Sequence, residues 1–224
     1  MRVLGVAAAM AVLFGAANAA TISVTNGNFE DGGVLKYGAW ERGADGWTRS
    51  GDAGTFAPGS YGLPSYDSPP AALGSNVGYL NASSSMRQLL DATIEAGVSY
   101  TLTALFGARL QHPGAGTFGF YADNVTNVIG VQAVAPGAGN WTLESFTLDA
   151  TAMASFVGQR LGIIFYGSVT QLNFDTVSVL ASISSDNPGD DVETLVNPVP
   201  GALPLMLTGL LGGWFANRRR KKAA

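Results

Sequence analysis

Ser99-Tyr100-Thr101-Leu102-Thr103-Ala104-Leu105-Phe106 decides how the whole chain is read. Tyr100, Leu102, Ala104 and Phe106 fall on one side of an extended backbone, and Ser99, Thr101 and Thr103 fall on the other. Successive side chains of a strand point to opposite faces, so this two-residue period marks a β-strand with one buried face. The same strand-like character recurs on both sides of it. Thr21–Thr25, Val34–Trp40, Val77–Asn81 and Ser84–Leu90 precede the longer run Val98–Leu110. Thr117–Ala122, Asn127–Val134, Trp141–Asp149, Arg160–Tyr166 and Gln171–Ala181 follow it.

Turn residues separate these runs, at Asp31-Gly32-Gly33, at His112 to Gly116 and at Pro136 to Asn140. Short strands at that spacing predict an all-β, antiparallel two-sheet sandwich. Arg160–Tyr166 is apolar on both faces and reads as an inner strand. From Leu172 to Val179 the alternation slips by one residue near Asp175, which predicts a bulge there. Ala150–Val157 alone looks helical, as a short turn over one end. Gly51–Ser75, rich in Gly, Pro, Ser and Tyr, reads as a long loop excursion.

Both ends carry addressing signals. Arg2, the apolar run Val3–Phe14 and Ala17-Asn18-Ala19 form a signal peptide over residues 1–19. The sandwich then spans 20–181 and an acidic flexible linker 182–198, with residues 199–224 as a C-terminal segment. There Val199–Ala216, 18 residues long, would reach about 27 Å as a helix and span a hydrocarbon core. Arg218, Arg219, Arg220, Lys221 and Lys222 follow it and should stay cytoplasmic, leaving the acidic body outside. Between Ala20 and Pro198 there are 6 basic and 16 acidic residues, a net charge of −10. That sign argues against nucleic acid as a partner. With 0 cysteines, no disulfide can staple the fold.

Asn26-Gly27-Asn28-Phe29-Glu30 with Gly46-Trp47-Thr48, and Leu172 to Val179 at the other end, resemble the galactose-binding-like jelly roll of carbohydrate-binding modules. That resemblance implies a structural calcium shared by Glu30 and Asp175, two carboxylates that backbone carbonyls would complement. Thr176 departs from the family's second acidic position. The tail Asn197 to Leu205, with Val199, Pro200 and Pro204 ahead of the span and the basic cluster, resembles the PEP-CTERM sorting signal in its Val-Pro-x-Pro-Ala variant. It implies export through the Sec translocon, transient anchoring in the inner membrane and processing by an exosortase in a Gram-negative bacterium. It also implies a cell-surface or extracellular destination associated with exopolysaccharide or biofilm. A plain single-span anchor without processing is the alternative.

The resulting expectation is a non-catalytic glycan-binding surface protein. Pyranose rings stack on exposed aromatics, which singles out Trp40, Tyr61, Tyr66 and Tyr79, with Arg42, Asp45 and Asp67 as polar partners. A purely structural matrix protein and a polysaccharide-active enzyme are the alternatives. The single histidine, His112, sits in a turn and reads as a surface residue. Trp47 and Trp141 each open a strand and read as core. Glu41, Asp45 and Asp52 sit among Gly and polar residues and read as solvated carboxylates.

Overall fold

The computed structural model describes residues 19–58, 65–67, 69–70 and 72–183. The chain divides into two units, Met1–Asp186 and Asn187–Ala224, and every described residue belongs to the first. The expected signal peptide, most of the linker and the sorting tail with Val199, Pro200, Pro204 and Arg218–Arg220 lie outside the described residues. Among those that are described, no helix is long and apolar enough to cross a membrane.

The elements are β1 (Ala19–Ile22), β2 (Trp40–Arg42), β3 (Thr48–Ser50), β4 (Ala53–Phe56), β5 (Val77–Asn81), β6 (Ser85–Thr93) and β7 (Val98–Ala108). Then come β8 (Ala115–Ala122), β9 (Val128–Val134), β10 (Trp141–Leu148), α1 (Ala150–Met153), a 3-10 turn (Ala154–Phe156), β11 (Arg160–Val169) and β12 (Gln171–Ile183). They build the expected two-sheet antiparallel sandwich. One sheet has seven strands in the order β10-β7-β12-β5-β4-β2, with β1 pairing β12 beyond the reach of β5. The other has five, ordered β3-β6-β11-β8-β9.

The inward face of β7 is Tyr100, Leu102, Ala104 and Phe106, all buried. Its outward Thr101 and Thr103 pair instead with Thr147 and Ser145 of β10 through hydroxyl hydrogen bonds of 2.8 and 2.9 Å. Between the sheets, aromatic rings carry the stability that no disulfide supplies. Phe165 stacks on Phe174 with centroids 4.5 Å apart, and Phe106 lies 4.7 Å from Phe118. Phe29 and Trp47, stacked at 5.5 Å, close one end, and the Trp47 indole N–H donates to Asn26 O. Rings packed this way contribute about 1 kcal/mol per pair beyond the area they bury.

The expected bulge is present, as a register break between Asp175 and Ser178 with Thr176 at φ 49°. Into that break comes the opening loop: Val177 N donates to Gly27 O at 2.9 Å. A β-carbon on Gly27 would stand 2.6 Å from Val177 O, so only glycine fits.

Two expectations fail. Val34–Trp40 is not a strand, because Gly33 and Gly38 turn the chain at positive φ and Leu35 N is held by the Asn76 side chain. Gly51–Ser75 is not all loop: Ala53–Phe56 is a strand inside the larger sheet, too short and too evenly buried on both faces to stand out by periodicity.

Candidate functional site

The outward face of the seven-stranded sheet is not uniformly solvated. Pairing places Trp141, Gly107, Asn173, Tyr79 and Gly54 in one cross-strand row, because each is registered with the next. Residues two further along each strand form the neighbouring row, so Asp175, Val77, Phe56 and Trp40 share that face. Gly107 is the dip in the first row. The Trp141 ring lies over it, so close that a β-carbon there would be 2.4 Å from the indole.

A cleft of about 500 Å³ opens on this face, a size that suits a small organic ligand. Tyr37, Trp40, Phe56 and Tyr79 form its aromatic wall, while Asp52, Asn81, Arg109, His112 and Gln171 supply polar groups. Trp40 meets Tyr79 edge-on at 6.3 Å. Arg109 spreads its guanidinium over the Phe56 ring, 5.0 Å from the centroid, and donates from Nη1 to Gln171 Oε1 at 2.9 Å.

Asp52 is the most hydrogen-bonded carboxylate of the site. It accepts from Asn81 Nδ2 at 2.7 Å, from Tyr79 Oη at 3.2 Å and from Arg42 Nε at 3.2 Å. The Asn81 bond first, and then Arg42 and Tyr79, hold its carboxyl below the usual range against the opposing effect of burial. Tyr79 responds in the opposite sense: burial, then the Asp52 charge and hydrogen bond, push its phenol up to about 12.

Beside the cleft the face is covered. Tyr66 packs on Trp141 with centroids 4.9 Å apart and is buried. Burial raises its phenol, with Arg109 opposing and Asp175 reinforcing the shift. Tyr66 Oη, Arg109 Nε, Trp141 Nε1, Asn173 Oδ1 and Asp175 Oδ2 are all buried without a hydrogen-bond partner among the described residues. Buried polar atoms are normally satisfied, so these five, gathered on one sheet face, have capacity for a water or a bound group.

Asp175 is fully buried where β5 begins, its carboxylate accepting from Thr176 N and from the Gly74 backbone. Burial first, and the neighbouring charge of Glu30 as well, raise its pKa to about 7. Glu30 in turn accepts from Asn76 N at 2.8 Å. The two residues expected to share calcium are therefore brought together. A divalent cation would satisfy the orphaned Asp175 Oδ2 and relieve the repulsion between the pair, so the donor set fits a hard ion. Among the described residues no group of three or more His, Cys, Asp or Glu side chains surrounds it, leaving the remaining ligands to backbone carbonyls.

Of the glycan candidates, Tyr61 lies outside the described residues. Trp40, 56% exposed, lines the cleft, and Arg42 sits over its ring at 5.8 Å. Tyr66 is buried against Trp141 and cannot stack on a sugar. Asp67 packs near Gly139, whose carbonyl its N–H meets at 3.0 Å, away from the cleft wall. Trp47 is core as expected, whereas Trp141 faces outward under Tyr66. Phe56 and Arg109 line the cleft without having been singled out in the sequence, and Asp52 and His112, read there as a solvated carboxylate and a surface residue, line it as well. His112 looked like a turn residue because the turn itself forms one rim.

The family model described as HpiC1-like, HpiC1 cyclase, matches residues 20–180. No curated protein matches the sequence. Among solved structures, the Stig cyclase Fisc from Fischerella sp. TAU, in complex with (3Z)-3-(1-methyl-2-pyrrolidinylidene)-3H-indole, superposes with a TM-score of 0.64 at 20% identity, covering 75% of this chain and 100% of that one. A cyclase from Fischerella sp. TAU in complex with 4-(1H-indol-3-yl)butan-2-one gives 0.62 at 20% identity, covering 74% and 98%. The CBM22-1 xylan-binding domain of Paenibacillus barcinonensis Xyn10C is a more distant sandwich, at 0.39, 11% identity and coverage of 68% and 99%. The match to a cyclase family overturns both the non-catalytic glycan-binding expectation and the structural-matrix one. The physical reason agrees: the aromatics form a walled cleft with orphaned polar groups beside it, not an open stacking platform.

Proposed function

The chain belongs to the HpiC1-like family, and we propose that it is a cyclase whose substrate is a small, largely apolar aromatic molecule bound in the cleft of the seven-stranded sheet. The observation that carries this reading is the pairing of an aromatic wall, Trp40, Phe56 and Tyr79, with unsatisfied buried polar atoms immediately beside it. The indole compounds held by the Fischerella cyclases suggest the ring class.

Ring closure asks three things of the protein. It must hold a flexible chain folded near its attack geometry, keep water away from electron-poor carbon, and handle a proton. The aromatic wall meets the first two, since ring faces attract positive charge without acting as nucleophiles. For the third, the cleft offers the ionised Asp52 as acceptor and the neutral Tyr79 hydroxyl, already oriented by Asp52, as its neighbour. The imidazole of His112 stands on the rim.

Calcium at Glu30 and Asp175 would be structural, clipping the opening loop to β12 behind the cleft. Export is proposed from the two ends of the sequence alone: signal peptide first, then a span stopped by arginines and lysines that exosortase would process.

The test is binding and turnover by the purified domain. Saturable binding of 4-(1H-indol-3-yl)butan-2-one, weakened at least tenfold by Trp40→Ala, is the expected result. A panel of 3-alkenylindoles should yield ring-closed isomers of unchanged mass, separable by chromatography. Failure of every indole probe to bind would overturn the reading.

A further inference from the structure

The cleft has two unlike halves. Arg109, His112, Gln171 and Asn81 line both the aromatic cleft and an adjoining cavity of about 480 Å³ that continues past Thr170. The two cavities therefore share a polar seam, and a ligand lying with its ring on Trp40 and Tyr79 reaches that seam with its other end.

The charges along the seam are unequal. At one side Asp52 is matched by Arg42, the one ion pair among the described residues. Arg109 has no such match. Its Nη1 meets a neutral amide, its Nε is buried without a partner among the described residues, and its flat face rests on Phe56. The strand Ala53–Phe56, whose Phe56 ring lies under the guanidinium, holds no acidic residue, and the Asp52 carboxylate in the same cleft is engaged by Asn81, Tyr79 and Arg42. Asp175, whose charge acts with that of Arg109 on the Tyr66 hydroxyl, makes no ion pair with it, so this partly buried guanidinium is left with donors that an incoming anion can use. The body of the domain is acidic overall, so an arginine that lines this cleft without an ion pair among the described residues runs against the prevailing charge.

We propose that the ligand of this cleft is an aromatic carboxylate, its ring held by Trp40, Phe56 and Tyr79 and its carboxylate by Arg109 with His112 beside it. A planar guanidinium fixed by stacking and by one amide bond presents its remaining N–H groups as a fork, which matches a carboxylate better than a neutral carbonyl. This inference rests on the cleft being the substrate site and names the class of substrate that site takes.

A matched pair of probes tests it. 3-(1H-indol-3-yl)propanoate and 4-(1H-indol-3-yl)butan-2-one have the same ring, the same two-carbon spacer and nearly the same volume, and differ in a carboxylate against a methyl ketone. Titration of the exported domain should give at least tenfold tighter binding of the acid, with the advantage shrinking as salt rises. Arg109→Gln should remove that preference, the acid losing at least tenfold more affinity than the ketone. Arg109→Lys, which keeps the charge and loses the fork, should retain only part of it. Equal binding of both probes by the native protein would overturn the carboxylate assignment alone, as would a preference that survives in a folded Arg109→Gln protein. Binding of neither probe would instead sink the aromatic cleft as the substrate site, and this assignment with it.

Discussion

The Tyr79 hydroxyl donates to Asp52 Oδ1 at 3.2 Å, joining the middle of β5 to the residue that precedes β4 and fixing one wall of the cleft. The contact ties a ring that binds to a carboxylate that is itself held by Asn81 and Arg42.

Asp52→Asn should lower the Tyr79 ionisation midpoint from about 12 toward the ordinary tyrosine value, without reaching it, because burial is the largest cause and remains. Tyr79 is raised in the folded state, so its stabilising contribution is complete below the unfolded pKa of about 10 and is lost as pH climbs through 12. Ultraviolet titration of the native domain against Tyr79→Phe isolates this one group. An unchanged midpoint in Asp52→Asn would separate the two residues electrostatically.

Arg42→Ala should cost less than about 1 kcal/mol, since both partners of the 3.2 Å pair are well exposed. Asp52 keeps its Asn81 bond, which is the larger cause of its lowered pKa. Its stabilising effect should thus persist above the unfolded carboxylate range and fade as pH falls through the folded value. Urea melts at neutral and acidic pH measure both.

Calcium should raise the melting temperature of the domain and a chelator should lower it, with Asp175→Ala abolishing the response. The carboxylate pair explains the direction: Asp175 and Glu30 repel one another until a cation sits between them. Identical melting curves with calcium and with chelator would remove the ion from the account.

Phe174→Ala should destabilise by about 3–5 kcal/mol, because its ring is fully buried and contacts Phe165, Phe29 and Trp47 together. Trp40→Ala, exposed and at the end of β2, should change stability by less than about 0.5 kcal/mol while weakening ligand binding. Parallel denaturation and binding measurements distinguish a core aromatic from a cleft aromatic.

Much of the sandwich was legible along the chain because each sheet has one wet face and one dry one. The alternation in β7 and the slip at Asp175 both follow from that asymmetry. Where a strand is short or buried on both faces, as Ala53–Phe56 is, no alternation exists to be read. Glu30 and Asp175 could be paired from their motifs, since the opening loop must meet the closing strand in this architecture. The cleft could not. Its members come from loops, from the ends of β2, β4, β5 and β12, from the middle of β5 and from the residue before β4, and Asp52 and His112 look locally like any solvated polar residue.

Local pattern, then, was enough to determine an antiparallel β-sandwich, its principal strands and its acidic charge. These are consequences of periodicity, turn chemistry and charge, all of which act over neighbouring residues. Only the folded chain decided that the outer face of one sheet carries an aromatic cleft, that Tyr66 is buried, and that Arg109 lies on Phe56 without an ion pair among the described residues. Strand register across β4, β5, β12 and β7 brings those side chains together over sequence separations that no local signal spans.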